Sequence, residues 1–332
     1  TAYEISACLV GSEMCIRDRS VYTRLTKEEL EQLLYQYDIG EFISVEGINE
    51  GITNSNYYLT TSKDKFILTI FEEPNLNLDY AIELMDMLSA NNISCPIPLK
   101  TKNGLSVINV KDKPCSIFTL LPGKTVAKKI PTIDMCKQIG STIGKIHKCS
   151  VKFKRHDLGL RGSDWFIATS KKLEEVLEIE DMKIINEEIK NQNYCVDKGL
   201  PYGVIHSDLF RDNVMFLDDE LTGVIDFYYA CNGYYLYDLA IIANDWCLDE
   251  DLRIDLKKQD ALIKHYNKER KIENIEIDMW ARVLRHAALR FWLSRLHDKF
   301  FPTDGEITHQ LDPDKFKSIL VDRINTSYIL RI

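Results

Sequence analysis

The chain has 332 residues, 45% of them hydrophobic and 10% aromatic, with 51 acidic against 42 basic side chains and a formal net charge of −9. That length suits two lobes with substantial cores, and the apolar content excludes a disordered chain. The acidic balance argues against nucleic acid or an anionic membrane surface as the main partner, and no apolar run approaches the roughly 20 residues that a membrane span needs. Nine cysteines are scattered without any C-x-x-C pair, which argues against zinc and against a disulfide framework. They read as thiols buried in a reducing, cytoplasmic setting.

Residues 1–20, TAYEISACLVGSEMCIRDRS, lack sustained periodicity and a signal-peptide pattern, and CLVGSEMCIRDR resembles translated sequencing adapter. They are read as a non-native leader, with the native start near Val21. A helix is expected over 26–38, capped by Thr26, with Leu30, Leu33 and Leu34 on one stripe. Residues 41–71 read as strands, interrupted by a glycine- and asparagine-rich stretch from Gly47 to Ser55. A helix is expected over 77–91, then strands at 107–110 and 116–120, ended by Pro122-Gly123. Beyond Gly123 helical patterns dominate, at 131–148, 163–197, 236–247, 257–268 and 275–297, with a strand-rich island near 204–226. The division expected is a small sheet-rich lobe (21–117), a connector (118–123) and a larger helical lobe (124–332).

The strongest chemical signal is His206-Ser207-Asp208-Leu209-Phe210-Arg211-Asp212-Asn213, followed by Val224-Ile225-Asp226-Phe227. Phosphoryl transfer needs one carboxylate to take the acceptor's proton, and an amide with a second carboxylate to hold Mg²⁺ on the phosphates. An Asp two residues after His, then an Asn five after that Asp, resembles the kinase catalytic loop. The resemblance implies Asp208 as catalytic base, Asn213 and Asp226 as Mg²⁺ ligands and His206 as a brace for the loop. Read alone, the run is also a polar turn between strands. Tyr228 stands where a protein kinase has the glycine of D-F-G. That form resembles the aminoglycoside phosphotransferase and choline kinase superfamily, whose protein-kinase-like fold is α+β. Asp238, in Tyr237-Asp238-Leu239-Ala240, then braces the catalytic loop; it reads equally as an acid favoured at a helix start.

Four stretches together resemble the bacterial homoserine kinases of this fold, which serve threonine synthesis: GITNSNYYL (51–59), SIFTLLPGKTV (116–126), HSDLFRDNVMF (206–216) and ALRFWLSRLHD (288–298). The run GEITHQLDPDKFKSIL (305–320) fits as well. The resemblance implies ATP and Mg²⁺ as cofactors and L-homoserine as the small-molecule acceptor. Gly47, Gly51, Asn54 and Ser55 then belong to a phosphate-covering loop, which reads equally as a hairpin turn. The strand lysine expected next is replaced by Thr69. Lys65 is the substitute on the same face, or simply a solvated residue. Glu83 is the candidate partner glutamate, and the backbone from Phe118 to Leu120 the adenine contact. Arg290, Trp292 and Arg295 lie in a very apolar helix, so the arginines need partners: a substrate carboxylate, or an internal salt bridge. Another small-molecule kinase of this fold and a nucleotide-binding pseudokinase are the alternatives.

Overall fold

The computed structural model describes residues 23–48, 54–196, 199–302 and 311–332, with 192–196 described by their backbone alone. The leader expected at 1–20 and Gly51 of the phosphate-covering loop lie outside the described residues.

Helix α1 (Lys27–Tyr35) opens on a capping box: Thr26 Oγ1 accepts from Glu29 N at 3.2 Å, and the Glu29 carboxylate accepts from Thr26 N at 2.8 Å. Strands β1 (Phe42–Gly47), β2 (Ser55–Thr61) and β3 (Lys65–Ile70) follow, then α2 (Leu78–Ala90), β4 (Ile108–Val110) and β5 (Lys113–Thr119). The strands form one antiparallel sheet in the order β1-β2-β3-β5-β4. Period-two alternation sorts its side chains onto two faces. Tyr57, Leu59, Leu68, Ile70, Cys115 and Ile117 pack with Leu30, Leu33 and Leu34 of α1 in a core of their own. Asn56, Thr69 and Phe118 point the other way, and Phe118 joins α2 in the main core.

The rest of the chain is the helical lobe. It comprises β6 (Lys124–Thr125), α3 (Ile133–Ser150), α4 (Ser163–Leu173), α5 (Ile179–Val196), β7 (Tyr202–Ile205), β8 (Val214–Leu217), β9 (Glu220–Val224), β10 (Cys231–Tyr234), α6 (Tyr235–Trp246), α7 (Leu256–Glu269), α8 (Asn274–Phe300) and α9 (Pro313–Asn325). The helical stretch expected over 163–197 is two helices. Its chain turns after Leu173, and Glu180 and Asp181 favour a fresh N-terminus for α5. Helix α9 was not anticipated, although Asp312 caps it, Pro313 opens it and Phe316, Ile319 and Leu320 form its buried stripe. The main core runs unbroken from α2 through α3, α6 and α8 to α9, so α2 is welded to the helical lobe. Polar ties reinforce that weld: Glu83 pairs with Arg155, and the Tyr80 hydroxyl donates to Asn232 Oδ1 at 3.1 Å.

Helices α3 and α7 meet at backbone distance. A Cβ on Gly140 would lie 2.3 Å from the Leu262 carbonyl oxygen, and one on Gly144 2.8 Å from the Glu269 Cβ. Gly140→Ala must therefore push the helices apart, at a cost of about 1–3 kcal/mol. Thermal unfolding should show Tm lowered by several degrees; an unchanged Tm would mean that the two helices yield without strain.

Candidate active site

The catalytic loop runs between β7 and β8, and α6 holds it from below. Asp238 and Asp245 are spaced by two helical turns, so they lie on one face of a helix otherwise buried in apolar surroundings. Asp238 is fully buried. Its Oδ2 accepts from His206 N at 2.7 Å, and its Oδ1 from Ser207 N at 2.8 Å. His147 of α3 lies 3.1 Å from Oδ2 through Nε2, and its Nδ1 is 2.8 Å from the Tyr266 hydroxyl. That hydroxyl accepts from Arg270 at 3.1 Å, so its one proton goes to His147 Nδ1, leaving Nε2–H to donate to Asp238. Burial lowers the His147 pKa from its ordinary value, in keeping with a neutral ring. At the other end of the loop, Asp245 takes Arg211 in a fork, at 3.0 and 3.1 Å.

Held at both ends, the loop presents Asp208. Its Oδ2 faces Asn213 Nδ2 at 3.3 Å, its carbonyl accepts from the same amide at 2.8 Å, and its Oδ1 accepts from Arg290 at 3.2 Å. His206 accepts from Asp208 N through Nδ1 at 3.3 Å and donates through Nε2 to the Ile225 carbonyl at 2.9 Å. That second bond ties the catalytic loop to the segment bearing Asp226. The Asn213 carbonyl accepts from Ile225 N at 3.0 Å, a second tie. Asp226 sits in the left-handed region, φ 63°, and its Oδ1 is buried without a hydrogen-bond partner. Burial, then the charges of Asp208 and Asp212, push its carboxyl up to about 7.

A family model described as the phosphotransferase enzyme family matches residues 44–272. The homoserine kinase of Methylobacillus flagellatus is 39% identical over 302 residues, covering 91% of this chain and 94% of that protein. The homoserine kinase of Neisseria meningitidis is 36% identical, covering 91% and 99%. The chain belongs to the homoserine kinase family. Its fold is that of the amicoumacin kinase hAmiN, solved in complex with AMP-PNP, Ca²⁺ and Ami, at a TM-score of 0.70, 16% identity and coverage of 90% and 92%. As a member of this phosphotransferase family the protein is an ATP-dependent kinase.

The structure brings Asp208, His206, Asn213 and Asp226 of this kinase together, with Arg290 from the expected α8 set on Asp208. Several other expected residues lie elsewhere. Lys65 opens β3, opposite Thr60, exposed beside the β2–β3 turn; the phosphate-covering loop joins β2 at its other end. Thr69, at the superfamily's lysine position, donates to Asn56 Oδ1 at 2.7 Å and touches Tyr228, two residues past Asp226. Glu83 faces solvent, paired with Arg155 rather than with a strand lysine. Gly47 ends β1 opposite Tyr57. Asn54 and Ser55 are turned inward: Asn54 Oδ1 accepts from Glu72 N at 3.3 Å, and the Ser55 hydroxyl donates to Glu72 at 2.5 Å. The Phe118 side chain is buried in the core and Leu120 is exposed. Trp292 is buried in the core, and Arg295 ties α8 to α9 by donating to the Asp312 carbonyl at 3.0 Å. The structure thus gives two of the three α8 residues internal work, and only Arg290 reaches the catalytic loop.

A cavity of about 250 Å³ lies beside Ser207, walled by the 158–163 loop, β7, β10, Tyr229, Tyr237 and the His286 and Arg290 face of α8. Burial pushes His286 down to about 4, so this wall carries a neutral imidazole at pH 7. Arg161, on that loop, was missed: nothing in LRGSDW distinguishes it from other surface-loop arginines.

Asp226, whose Oδ1 is buried without a hydrogen-bond partner, carries a sign-specific prediction. An acid whose folded-state pKa is raised destabilises the fold increasingly as pH climbs from the usual carboxylate range to about 7. Asp226→Asn should therefore raise the Tm of the ligand-free protein at pH 7.5 by a few degrees, about 1–3 kcal/mol, and by less at pH 5.5. The same substitution should weaken Mg·ATP binding in calorimetric titration. A lowered Tm at pH 7.5 would mean that the folded state stabilises the carboxylate beyond the Tyr228 backbone bond.

Proposed function

We propose that the protein transfers the γ-phosphoryl group of ATP to the side-chain hydroxyl of L-homoserine, giving O-phospho-L-homoserine for threonine synthesis in the cytoplasm. The observation that carries the reading is Asp208, fixed between Asn213 and Arg290, with Asp226 tied alongside through His206. Asp208 orients the acceptor hydroxyl and takes its proton as the oxygen bonds to the γ-phosphorus and the bond to the departing ADP oxygen breaks. Its link to Asn213 fixes one carboxylate oxygen, leaving the base little freedom to turn away. The left-handed backbone at Ser207, φ 63°, and the Ser207 hydroxyl donating to the Tyr229 carbonyl at 2.6 Å set the angle at which Asp208 leaves the loop.

Mg²⁺ suits this donor set. An amide and a buried carboxylate oxygen lacking any partner are hard oxygen ligands. Among the described residues no three acidic, histidine or cysteine side chains converge as a self-sufficient metal site, in keeping with an ion that arrives with the phosphates. Asn213 and Asp226 would hold it, and it would neutralise charge developing on the phosphate oxygens.

Homoserine as acceptor rests on the identity to homoserine kinases over nearly the whole chain. Among the described residues no helix is long and apolar enough to cross a membrane. The Thr69–Asn56 pair at the lysine position favours one other reading, a module that binds nucleotide without turnover.

A coupled ADP-release assay with homoserine, serine, choline and an aminoglycoside separates these possibilities. Homoserine should exceed every other acceptor by at least about 10²-fold in kcat/KM, because a site built for two charged ends rejects analogues lacking one. Serine keeps both ends, but its hydroxyl is one methylene short and misplaced. Faster turnover of choline or the aminoglycoside would overturn the acceptor assignment; nucleotide binding without turnover of any acceptor would establish the binding module.

A further inference from the structure

The cavity beside the catalytic loop holds more positive charge than it balances. Arg290 enters it from α8, only 5% exposed, and its partner is Asp208 Oδ1. Arg161 enters from the loop before α4. Its Nη1 donates to Ser294 Oγ, and its guanidinium lies 5.2 Å from the Trp165 ring centroid and 5.5 Å from that of Tyr229. Among the described residues Arg161 forms no ion pair. Burial, and then the neighbouring Arg161 charge, lower the Arg290 pKa. Two guanidinium groups thus face one carboxylate, and that carboxylate is the base. Like charges held together beside a cavity are stabilised by an anion that enters it.

The nucleotide's phosphates are a poor fit for that anion. Asp208 divides the site: Asn213 approaches its Oδ2, on the side of Asp226, while Arg290 approaches its Oδ1 from the cavity. The anion at Arg161 belongs to the acceptor side. We propose that Arg161 and Arg290 together bind the carboxylate of the amino-acid acceptor, and that Arg161 is the residue selecting for it. The inference rests on the homoserine reading. Homoserine's hydroxyl is separated from its carboxylate by two methylenes and the α-carbon, so one end can lie on Arg161 while the other reaches Asp208. Arg161 is well suited to this work. Ser294 and the two aromatic rings fix its planar fork before the acceptor arrives, which reduces the ordering cost of binding. Arg290 has a second effect, since its bond to Asp208 sets the orientation of the base.

The test compares homoserine with 3-amino-1-propanol, the same molecule without its carboxylate, in wild type, Arg161→Gln and Arg161→Lys. Arg161→Gln should raise KM for homoserine by about 10²-fold, with a smaller effect on kcat, and the preference for homoserine over 3-amino-1-propanol should fall by a similar factor. KM for ATP should stay within twofold. Arg161→Lys should recover part of the loss, because charge is kept and the fork is not. An unchanged homoserine KM in Arg161→Gln would overturn the inference. So would a loss that strikes both acceptors and ATP alike, the mark of a structural residue. Failure of the wild type to phosphorylate homoserine would instead overturn the functional reading on which the inference stands.

Discussion

The catalytic loop depends on one buried carboxylate. Consecutive backbone N–H groups of His206 and Ser207 point into the helical lobe, away from water, and Ser207 adopts a backbone conformation that costs a non-glycine residue free energy. Asp238 compensates by accepting both, and His147 supplies a third donor. The position of Asp238 is secured by helix α6, which is buried on every side and has nowhere to roll. His147 depends in turn on α3 lying close against α7, which the glycines of α3 permit. A packing contact between two helices is thereby transmitted through His147 and Asp238 to the orientation of Asp208.

Around that fixed loop the site separates charge. On the Asp226 side stand acids that repel one another, and the Asp226 Oδ1 is buried without a hydrogen-bond partner. On the cavity side stand two arginines. Each half is unfavourable by itself: the first is relieved by a cation, the second by an anion. Charge imbalance of opposite sign thus lies on the two sides of Asp208, the proposed base, an arrangement that would suit a metal-bound phosphate on one side and an acceptor's carboxylate on the other. Helix α2 is fused to the helical lobe through its apolar face and through Tyr80 and Glu83.

Much of this was legible in the sequence, for identifiable reasons. The motif spacing from His206 to Asp226 encodes a local loop and hairpin, so Asp208, Asn213 and Asp226 could be brought together without tertiary information; Asp238 as a brace came from the superfamily resemblance alone, beside an equal reading as a helix-start acid. Residues whose roles depend on long-range packing could not. Lys65 and Thr69 share a strand face with Lys65 nearer the strand start, and the β2–β3 register sets Lys65 opposite Thr60 beside the turn. Ser55 and Asn54 look like phosphate-loop residues, yet the sheet turns both inward onto Glu72. Arg290, Trp292 and Arg295 sit on different sides of α8, and burial alone could not say which faced the site. Arg161 stands in a loop without periodicity, so its approach to Arg290 has no signature along the chain. The stripe of α9 was readable from Asp312 to Leu320 and was overlooked.

The dependence of the site on Asp238 is tested most directly by the homoserine-dependent kcat of Asp238→Asn, measured well below the variant's melting transition. An asparagine can accept through one oxygen, but its amide would oppose the remaining backbone N–H, so the loop should lose its fixed angle. The account predicts a fall in kcat of about 10²-fold or more, since a small misplacement of the base is costly. A kcat within threefold of wild type would contradict it.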